Sequence, residues 1–167
     1  MVQYELEGNT FIISNKVYPY ANLAQWGSDN GRNMGTFDGQ KNYDQLWILR
    51  EDPTIKGFYT INNFTHVGSR VAKWGAGDGE VGNFAGQHYT DQLWKFDPHG
   101  SEENHYTITS YGYPNAKMAK WGAGDGDWGE YKIDDIFEYI YININNIYLC
   151  IYVYMLTSCC LSLFRIG

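Results

Sequence analysis

Acidic, amide, imidazole and aromatic side chains stand close together in the middle of the chain. Asp78, Asn83, Phe84, His88 and Asp91 fall within one short stretch of the sequence. A sugar site needs an aromatic ring against the apolar side of the pyranose, and carboxylate or amide groups for its hydroxyls. Both kinds of group are present here, so this stretch predicts a binding site.

Catalytic and metal-binding motifs do not match the sequence. Gly75-x-Gly77 would need a third glycine where Glu80 stands, and no helix is expected after it, which argues against a dinucleotide loop. Asp125-x-Asp127 lacks the further ligands of a calcium loop. The four histidines show no zinc spacing and no nearby cysteine. We therefore expect no enzymatic activity, no cofactor and no metal.

The elements that must position these side chains come from an internal repeat. A Trp-Gly pair occurs at Trp26, Trp74 and Trp121, and Asp-Gln-Leu-Trp occurs at residues 44–47 and 91–94. An aromatic-x-Ile segment begins at positions 11, 59 and 106, so all three motifs return after 47 or 48 residues. Three motifs in one order establish a repeat of one structural unit.

Each copy of the repeat is predicted to contain four short strands. In the second copy these are residues 58–62, 70–74, 81–85 and 92–96, and the glycines of residues 75–79 suit a tight turn. A propeller closes with about 4–8 blades, whereas three copies of four strands match a β-trefoil. The sequence therefore predicts an all-β fold, a β-trefoil of three repeats whose third is degenerate or truncated.

The Gln-Leu-Trp segments at residues 45–47 and 92–94 resemble the QxW signature of ricin B-type β-trefoil lectins. The resemblance covers about residues 8–132 and implies a carbohydrate-binding module. Large aromatic area at Trp47 and Trp94 suits burial near the pseudo-three-fold axis. The motif glutamines suit local backbone groups there, so motif residues are expected to be structural.

The resemblance also implies which residues hold the sugar. In that family a third-strand aromatic stacks on the sugar, while residues from the loop after the second strand and from just before the QxW glutamine hold its hydroxyls. Two further polar residues stand in the second copy, which is therefore expected to hold the most complete site, followed by the first. The candidate carbohydrate-binding residues are Asn30, Phe37, Asp44, Asp78, Asn83, Phe84, His88, Asp91, Asp125 and Tyr131.

Two departures leave alternatives open at this site. Asp78 stands later in its loop than the family's aspartate, and Asp91 stands where the family often has asparagine. The tryptophans of the Trp-Gly pairs could pack inside the fold, or lie exposed beside the glycine turn and stack on the ligand instead.

Charge and termini bear on partners and location. The formal net charge is −7, and the 12 Lys and Arg residues are scattered, which disfavours nucleic acid and anionic lipid as partners. The N-terminus lacks the basic and apolar regions of a signal peptide. All 3 Cys lie near the C-terminus. The location stays open, and a cytoplasmic or non-classically secreted protein is favoured.

The domain organisation follows from the repeat and from a change of composition near its end. Residues 1–143 are expected to form the lectin-like domain, and residues 144–167 an apolar tail. The repeats are expected at about residues 8–55, 56–102 and 103–143.

The C-terminal part allows several interpretations. The position expected for the third Asp-Gln-Leu-Trp, residues 138–141, reads Glu-Tyr-Ile-Tyr and could form a degenerate closing strand. Residues 147–164 carry no charge and reach the lower length limit of a membrane-spanning helix. The tail is a membrane anchor, an aberrant sequence, or an ordinary buried strand or helix, and membrane contact is expected only through it.

The function most consistent with these patterns is recognition of glycans or glycoproteins at several sites, without catalysis. Two alternatives remain: the targeting domain of a pore-forming toxin or defence protein, and a trefoil that binds protein only, such as a protease inhibitor.

Overall fold

The computed structural model describes residues 10–27, 34–38, 42–75, 81–101, 103–120, 128–132 and 140–143. Within these ranges the regular structure is twelve strands and two 3-10 turns, Tyr43–Gln45 and Thr90–Gln92. The strands are β1 (Thr10–Asn15), β2 (Ala21–Gln25), β3 (Met34–Asp38), β4 (Trp47–Glu51), β5 (Tyr59–Asn63), β6 (Ser69–Lys73), β7 (Val81–Ala85), β8 (Trp94–Pro98), β9 (His105–Ser110), β10 (Ala116–Lys120), β11 (Trp128–Lys132) and β12 (Ile140–Asn143). For the residues that the structure describes, the prediction of an all-β fold is confirmed.

Six of the strands close into a ring of antiparallel neighbours. The order around the ring is β1, β4, β5, β8, β9 and β12, and β12 returns to pair with β1. Ile12 lies opposite Asn143 at that closure. β12 shares residues 140 and 141 with the closing strand expected at residues 138–141, whose first two residues lie outside the described ranges. A closed ring leaves none of these six strands with a free edge.

The other six strands form three hairpins beside the ring. β2 pairs with β3, β6 with β7, and β10 with β11. Each hairpin joins the ring at one residue pair: Ser14 with Asn22, Asn62 with Arg70, and Thr109 with Lys117. These pairs recur at the spacing of the sequence motifs.

The core takes side chains from the ring strands and from all three hairpins, and it contains the two motif tryptophans. Trp47 and Trp94 are both 0% exposed. Their indole N–H groups donate to the carbonyls of Leu23 and Val71, each at 2.9 Å. A buried indole that keeps its hydrogen bond contributes its full apolar area without an unpaired donor. The expectation that these tryptophans are structural is confirmed.

The predicted strand boundaries need correction around the Gln-Leu-Trp motif. Gln92 was expected in the fourth strand of the second copy, but it ends a 3-10 turn in which the N–H of Leu93 donates to the carbonyl of Thr90 at 3.3 Å. The strand starts only at Trp94, because the tight turn brings the fully buried Gln92 beneath the neighbouring hairpin. The third strand of this copy, β7, has its predicted bounds.

No helix within the described ranges has the length and apolar character to cross a membrane. The predicted apolar tail, residues 144–167, lies outside those ranges.

Candidate functional site

A cleft of about 420 Å³ opens between the β4–β5 turn, the base of β6 and the loop after β7. Most of the residues that line it have polar or charged side chains. The lining residues are Arg50, Glu51, Asp52, Pro53, Thr54, Thr60, Asn62, Val67, Arg70 and His88. One of the predicted sugar-binding residues, His88, is therefore at an open cavity.

His88 is held at the cleft wall by Asp52. Its Nε2 lies 2.7 Å from a carboxylate oxygen of Asp52, which is 3% exposed, while the imidazole is 44% exposed. The other Asp52 oxygen accepts the hydroxyl of Thr54 at 2.6 Å and the backbone N–H groups of Thr54 and Ile55. The Thr54 hydroxyl first, and then these N–H groups and His88, lower the pKa of Asp52 well below its usual value against the effect of burial. A fixed anion thus orients a partly open imidazole.

Arg70 connects the cleft to the Gln-Leu-Trp motif. Its Nη1 donates to the side-chain oxygen of Gln92 at 2.9 Å and to the carbonyl of Gly86 at 3.2 Å. Gln92 in turn donates to the carbonyl of Gln87 at 3.1 Å. The loop after β7, which carries His88, is therefore tied to β6 through a buried glutamine.

Two aromatic rings lie beside this loop. Phe84 is half-buried and sits opposite Arg70 in the β6–β7 pairing, so both side chains stand on the same face of the hairpin. Tyr89 is 50% exposed, and its ring centroid lies 6.1 Å from that of Phe84. Gly86, at a φ of +145°, turns the chain past Phe84, and a Cβ there would meet the ring at 3.2 Å. The site thus combines aromatic surface with polar groups.

Asp91 adds a carboxylate next to His88. One of its oxygens is buried and has no hydrogen-bond partner among the residues that the structure describes. Burial raises the pKa of Asp91, while its own backbone N–H and the nearby charge of His88 act in the opposite direction. Asp44, its counterpart in the first copy, also has one buried oxygen without such a partner.

Asn83 lies elsewhere than the sugar-site prediction placed it. It is 0% exposed, and its amide donates to the hydroxyl of Ser69 at 3.3 Å. Successive side chains of a strand point to opposite faces, so Asn83 faces inward where Phe84 faces outward. Asn83 therefore supports the hairpin from beneath and does not line the cleft.

The remaining predictions fall partly outside the described residues. Asn30, Asp78 and Asp125 lie outside them, as does Trp121. Phe37 lies on β3 and Tyr131 on β11, but the structure describes only their backbones.

The Trp-Gly tryptophans differ from one another. Trp26 is 55% exposed, whereas Trp74 is half-buried; both follow the end of a strand. The sequence left open whether these tryptophans pack or lie exposed. Trp74 is an example of partial packing, and Trp26 is an example of exposure.

Asp52, Thr54 and Arg70 are site residues that the sequence reasoning missed. Asp52 and Thr54 belong to the first copy of the repeat and His88 to the second. A repeat aligns equivalent positions of different copies and carries no signal for a contact between non-equivalent ones. Arg70 could have been found by aligning the copies of the repeat. The equivalent positions hold Asn22 in the first copy and Lys117 in the third, so each copy has a nitrogen donor there.

The cleft does not bring together a metal-binding set. In the part of the chain that the structure describes, no group of three or more His, Cys, Asp or Glu could hold a metal ion.

Comparison with known proteins identifies the fold. No protein-family model matches the sequence, and no curated protein matches it either. Among solved structures, the BEL β-trefoil shares 18% identity at a TM-score of 0.66, over 82% of this chain and 94% of that one. SeviL bound to asialo-GM1 saccharide shares 16% identity at a TM-score of 0.64, over 82% and 98%. The fold is therefore a β-trefoil.

A larger protein contains a similar unit. A mosquitocidal holotoxin matches 83% of this chain at a TM-score of 0.71 and 14% identity, and this chain spans 17% of the toxin's length. At such identities the likeness shows the fold alone.

Proposed function

We propose that the chain is a carbohydrate-binding, lectin-like module built from three lobes of one repeat, similar to the ricin B type, and that it acts without catalysis. The observation that carries this proposal is the cleft between the first and second copies. The cleft is lined by a carboxylate-oriented imidazole and by an arginine tied to the motif glutamine, and the half-buried ring of Phe84 stands on the same hairpin face as that arginine. This is the combination that a sugar ring requires.

The partners that follow are glycans or glycoproteins. The similar SeviL structure holds the saccharide of asialo-GM1, which supports a glycan as the ligand class for this fold. The net charge of −7 argues against nucleic acid. Weak sites in more than one lobe would add through avidity, so the module is suited to clustered glycans. A cytoplasmic or non-classically secreted location remains our expectation.

A glycan array tests this function with a matched pair of histidine variants. His88→Ala removes the imidazole from the cleft, while His105→Ala removes one that does not line it. Losing one hydrogen bond from the imidazole should weaken glycan binding by about tenfold in His88→Ala. His105→Ala should bind like the unaltered protein. Absence of any glycan binding, or equal binding by His88→Ala, would refute the proposal.

A second candidate is the targeting domain of a larger toxin or defence protein. The holotoxin supports it, since a unit of this fold occupies a small part of that chain. Leakage of glycan-bearing vesicles caused by the protein would favour this candidate, whereas adhesion without leakage favours the module alone. Inhibition of proteases by a protein that binds no glycan would instead favour a protein-binding trefoil.

A further inference from the structure

Two aromatic rings lie stacked and open to solvent where the first copy meets the second. Tyr43, in the first 3-10 turn, is 71% exposed, and Phe64, directly after β5, is 43% exposed. Their ring centroids are 6.0 Å apart with 25° between the ring planes. We call this pair the aromatic platform. Two stacked rings with this exposure present an apolar surface to water.

The repeat does not require this platform. The counterparts 47 residues later are Thr90 and Tyr111. The local backbone is the same in both places, since the N–H of Phe64 donates to Leu46 and that of Tyr111 to Leu93, each at 2.8 Å. Tyr111 instead packs edge-on against Phe58. A threonine thus satisfies the fold at the position of Tyr43.

Polar groups flank the aromatic platform on a fixed base. Asp44 follows Tyr43, and its backbone carbonyl accepts the amide of Asn63 at 2.7 Å. Asn63 is fully buried and also accepts the N–H groups of Thr65 and His66, which holds the residues around Phe64 in place. Asn42, which is exposed, and Asp44, which is partly exposed, are the chain neighbours of Tyr43. Apolar surface edged by amide and carboxylate groups suits a pyranose.

The platform and the cleft share one turn. Phe64 begins the β5–β6 turn, and Val67 in the same turn lines the cleft. Three residues span at most about 10–11 Å, so the two surfaces lie within reach of a single extended ligand. The turn itself is closed by the N–H of Ser69 on the carbonyl of His66 at 2.8 Å.

We propose that the aromatic platform stacks against a second sugar ring of the glycan whose first ring occupies the cleft. The ligand is then an oligosaccharide, and a free monosaccharide fills the cleft alone; this rests on the proposed function. A protein partner fits the platform poorly, because stable interfaces bury about 800 Å² on each side and two rings offer far less.

The test uses the residue that the second copy carries at the same position. Tyr43→Thr removes one ring and copies Thr90, so the fold should be unaffected; Phe64→Ala removes the other ring. The control is Tyr20→Thr, which alters a 79% exposed tyrosine of the β1–β2 turn. The probes are immobilised oligosaccharides on an array, with the free monosaccharide of each terminal residue as competitor.

Loss of one stacking contact should weaken oligosaccharide binding about three- to tenfold in Tyr43→Thr and in Phe64→Ala. The affinity for the free monosaccharide, measured directly by calorimetry, should not change in either variant, and Tyr20→Thr should behave like the unaltered protein. Undiminished oligosaccharide binding by both platform variants, beside a loss in His88→Ala, would overturn this inference and leave the proposed function standing. A protein that binds no glycan at all would overturn both.

Discussion

The first two copies of the repeat have equivalent interiors but different surface chemistry. Trp47 and Trp94 have the same burial and the same 2.9 Å bond to a strand carbonyl. The motif glutamines above them accept from different donors, Asn22 in the first copy and Arg70 in the second. Both copies place a tryptophan indole at the same core position. The side-chain oxygen of the glutamine can accept a hydrogen bond from any donor that reaches it. Surface chemistry can therefore diverge where the core cannot.

The turns that follow the fourth strands show the same contrast. The N–H of Asp52 donates to Phe58 and that of His99 to His105, both at 2.8 Å. Gly57 and Asn104, again 47 residues apart, both have positive φ, at 80° and 62°. The repeated backbone presents Asp52 in one turn and His99 in the other. The partner of His88 is thus a property of one turn and not of the repeat.

The largest expected effect tests whether the two interiors are equivalent. Trp47→Ala and Trp94→Ala should each lower the free energy of unfolding by about 3–5 kcal/mol, because both create a large cavity. Trp26→Ala, at a 55% exposed site, should cost less than about 1 kcal/mol. Urea denaturation measures all three. Clearly unequal losses at the two motif tryptophans would show that the copies pack differently.

The next effect separates the two glutamine donors. Asn22→Leu and Arg70→Met each remove one hydrogen bond that a buried glutamine oxygen accepts, which should cost about 1–3 kcal/mol of stability. Only Arg70→Met should also weaken glycan binding, because Arg70 lines the cleft. Thermal unfolding and a glycan array measure the two quantities. Equal loss of glycan binding in both variants would contradict a specific role for Arg70.

A smaller, pH-dependent effect is expected at Asp52. Asp52→Ala removes the acceptor of two backbone N–H groups and should cost about 1–2 kcal/mol at neutral pH. Because folding lowers the pKa of Asp52, its contribution is complete above the usual aspartate pKa of about 3.9 and declines as the pH falls below that value. Unfolding curves between neutral and strongly acidic pH should therefore converge for variant and parent. A constant difference would contradict the ionised role of Asp52.

The smallest effect concerns the two positive-φ positions. Asn104→Gly copies Gly57 and should change stability by no more than about 1 kcal/mol, since glycine relieves the backbone but gains unfolded-state entropy. Asn104→Ala should lose about 1 kcal/mol, because asparagine tolerates a φ of 62° better than alanine, which keeps the Cβ but lacks the short polar side chain. Chemical denaturation should rank Ala below both Gly and Asn. An alanine variant as stable as the parent would argue against this backbone conformation.

The sequence predicted more of the fold than of the site, and the reason is physical. Motifs repeated at 47 or 48 residues predicted short strands, including the bounds of β7 and the buried role of Trp47 and Trp94. Strand alternation would also have placed Asn83 inward once Phe84 faced outward. The 3-10 turn at Gln92 was missed because the Asp-Gln-Leu-Trp motif does not reveal at which residue the strand begins.

The cleft could not be predicted from the period of the repeat. His88 and Asp52 lie 36 residues apart and occupy non-equivalent positions of the repeat. Their contact depends on how the β4–β5 turn meets the loop after β7, which only the folded arrangement reveals.

An NMR titration of the ¹⁵N-labelled protein, with the oligosaccharide that binds most tightly on the array, tests the central claim most directly. The account predicts that amide signals of Thr54, Arg70 and His88 move together and saturate at one ligand concentration, while Ile108 in the core stays in place. Signals that move elsewhere on the surface, with those three unchanged, would contradict it.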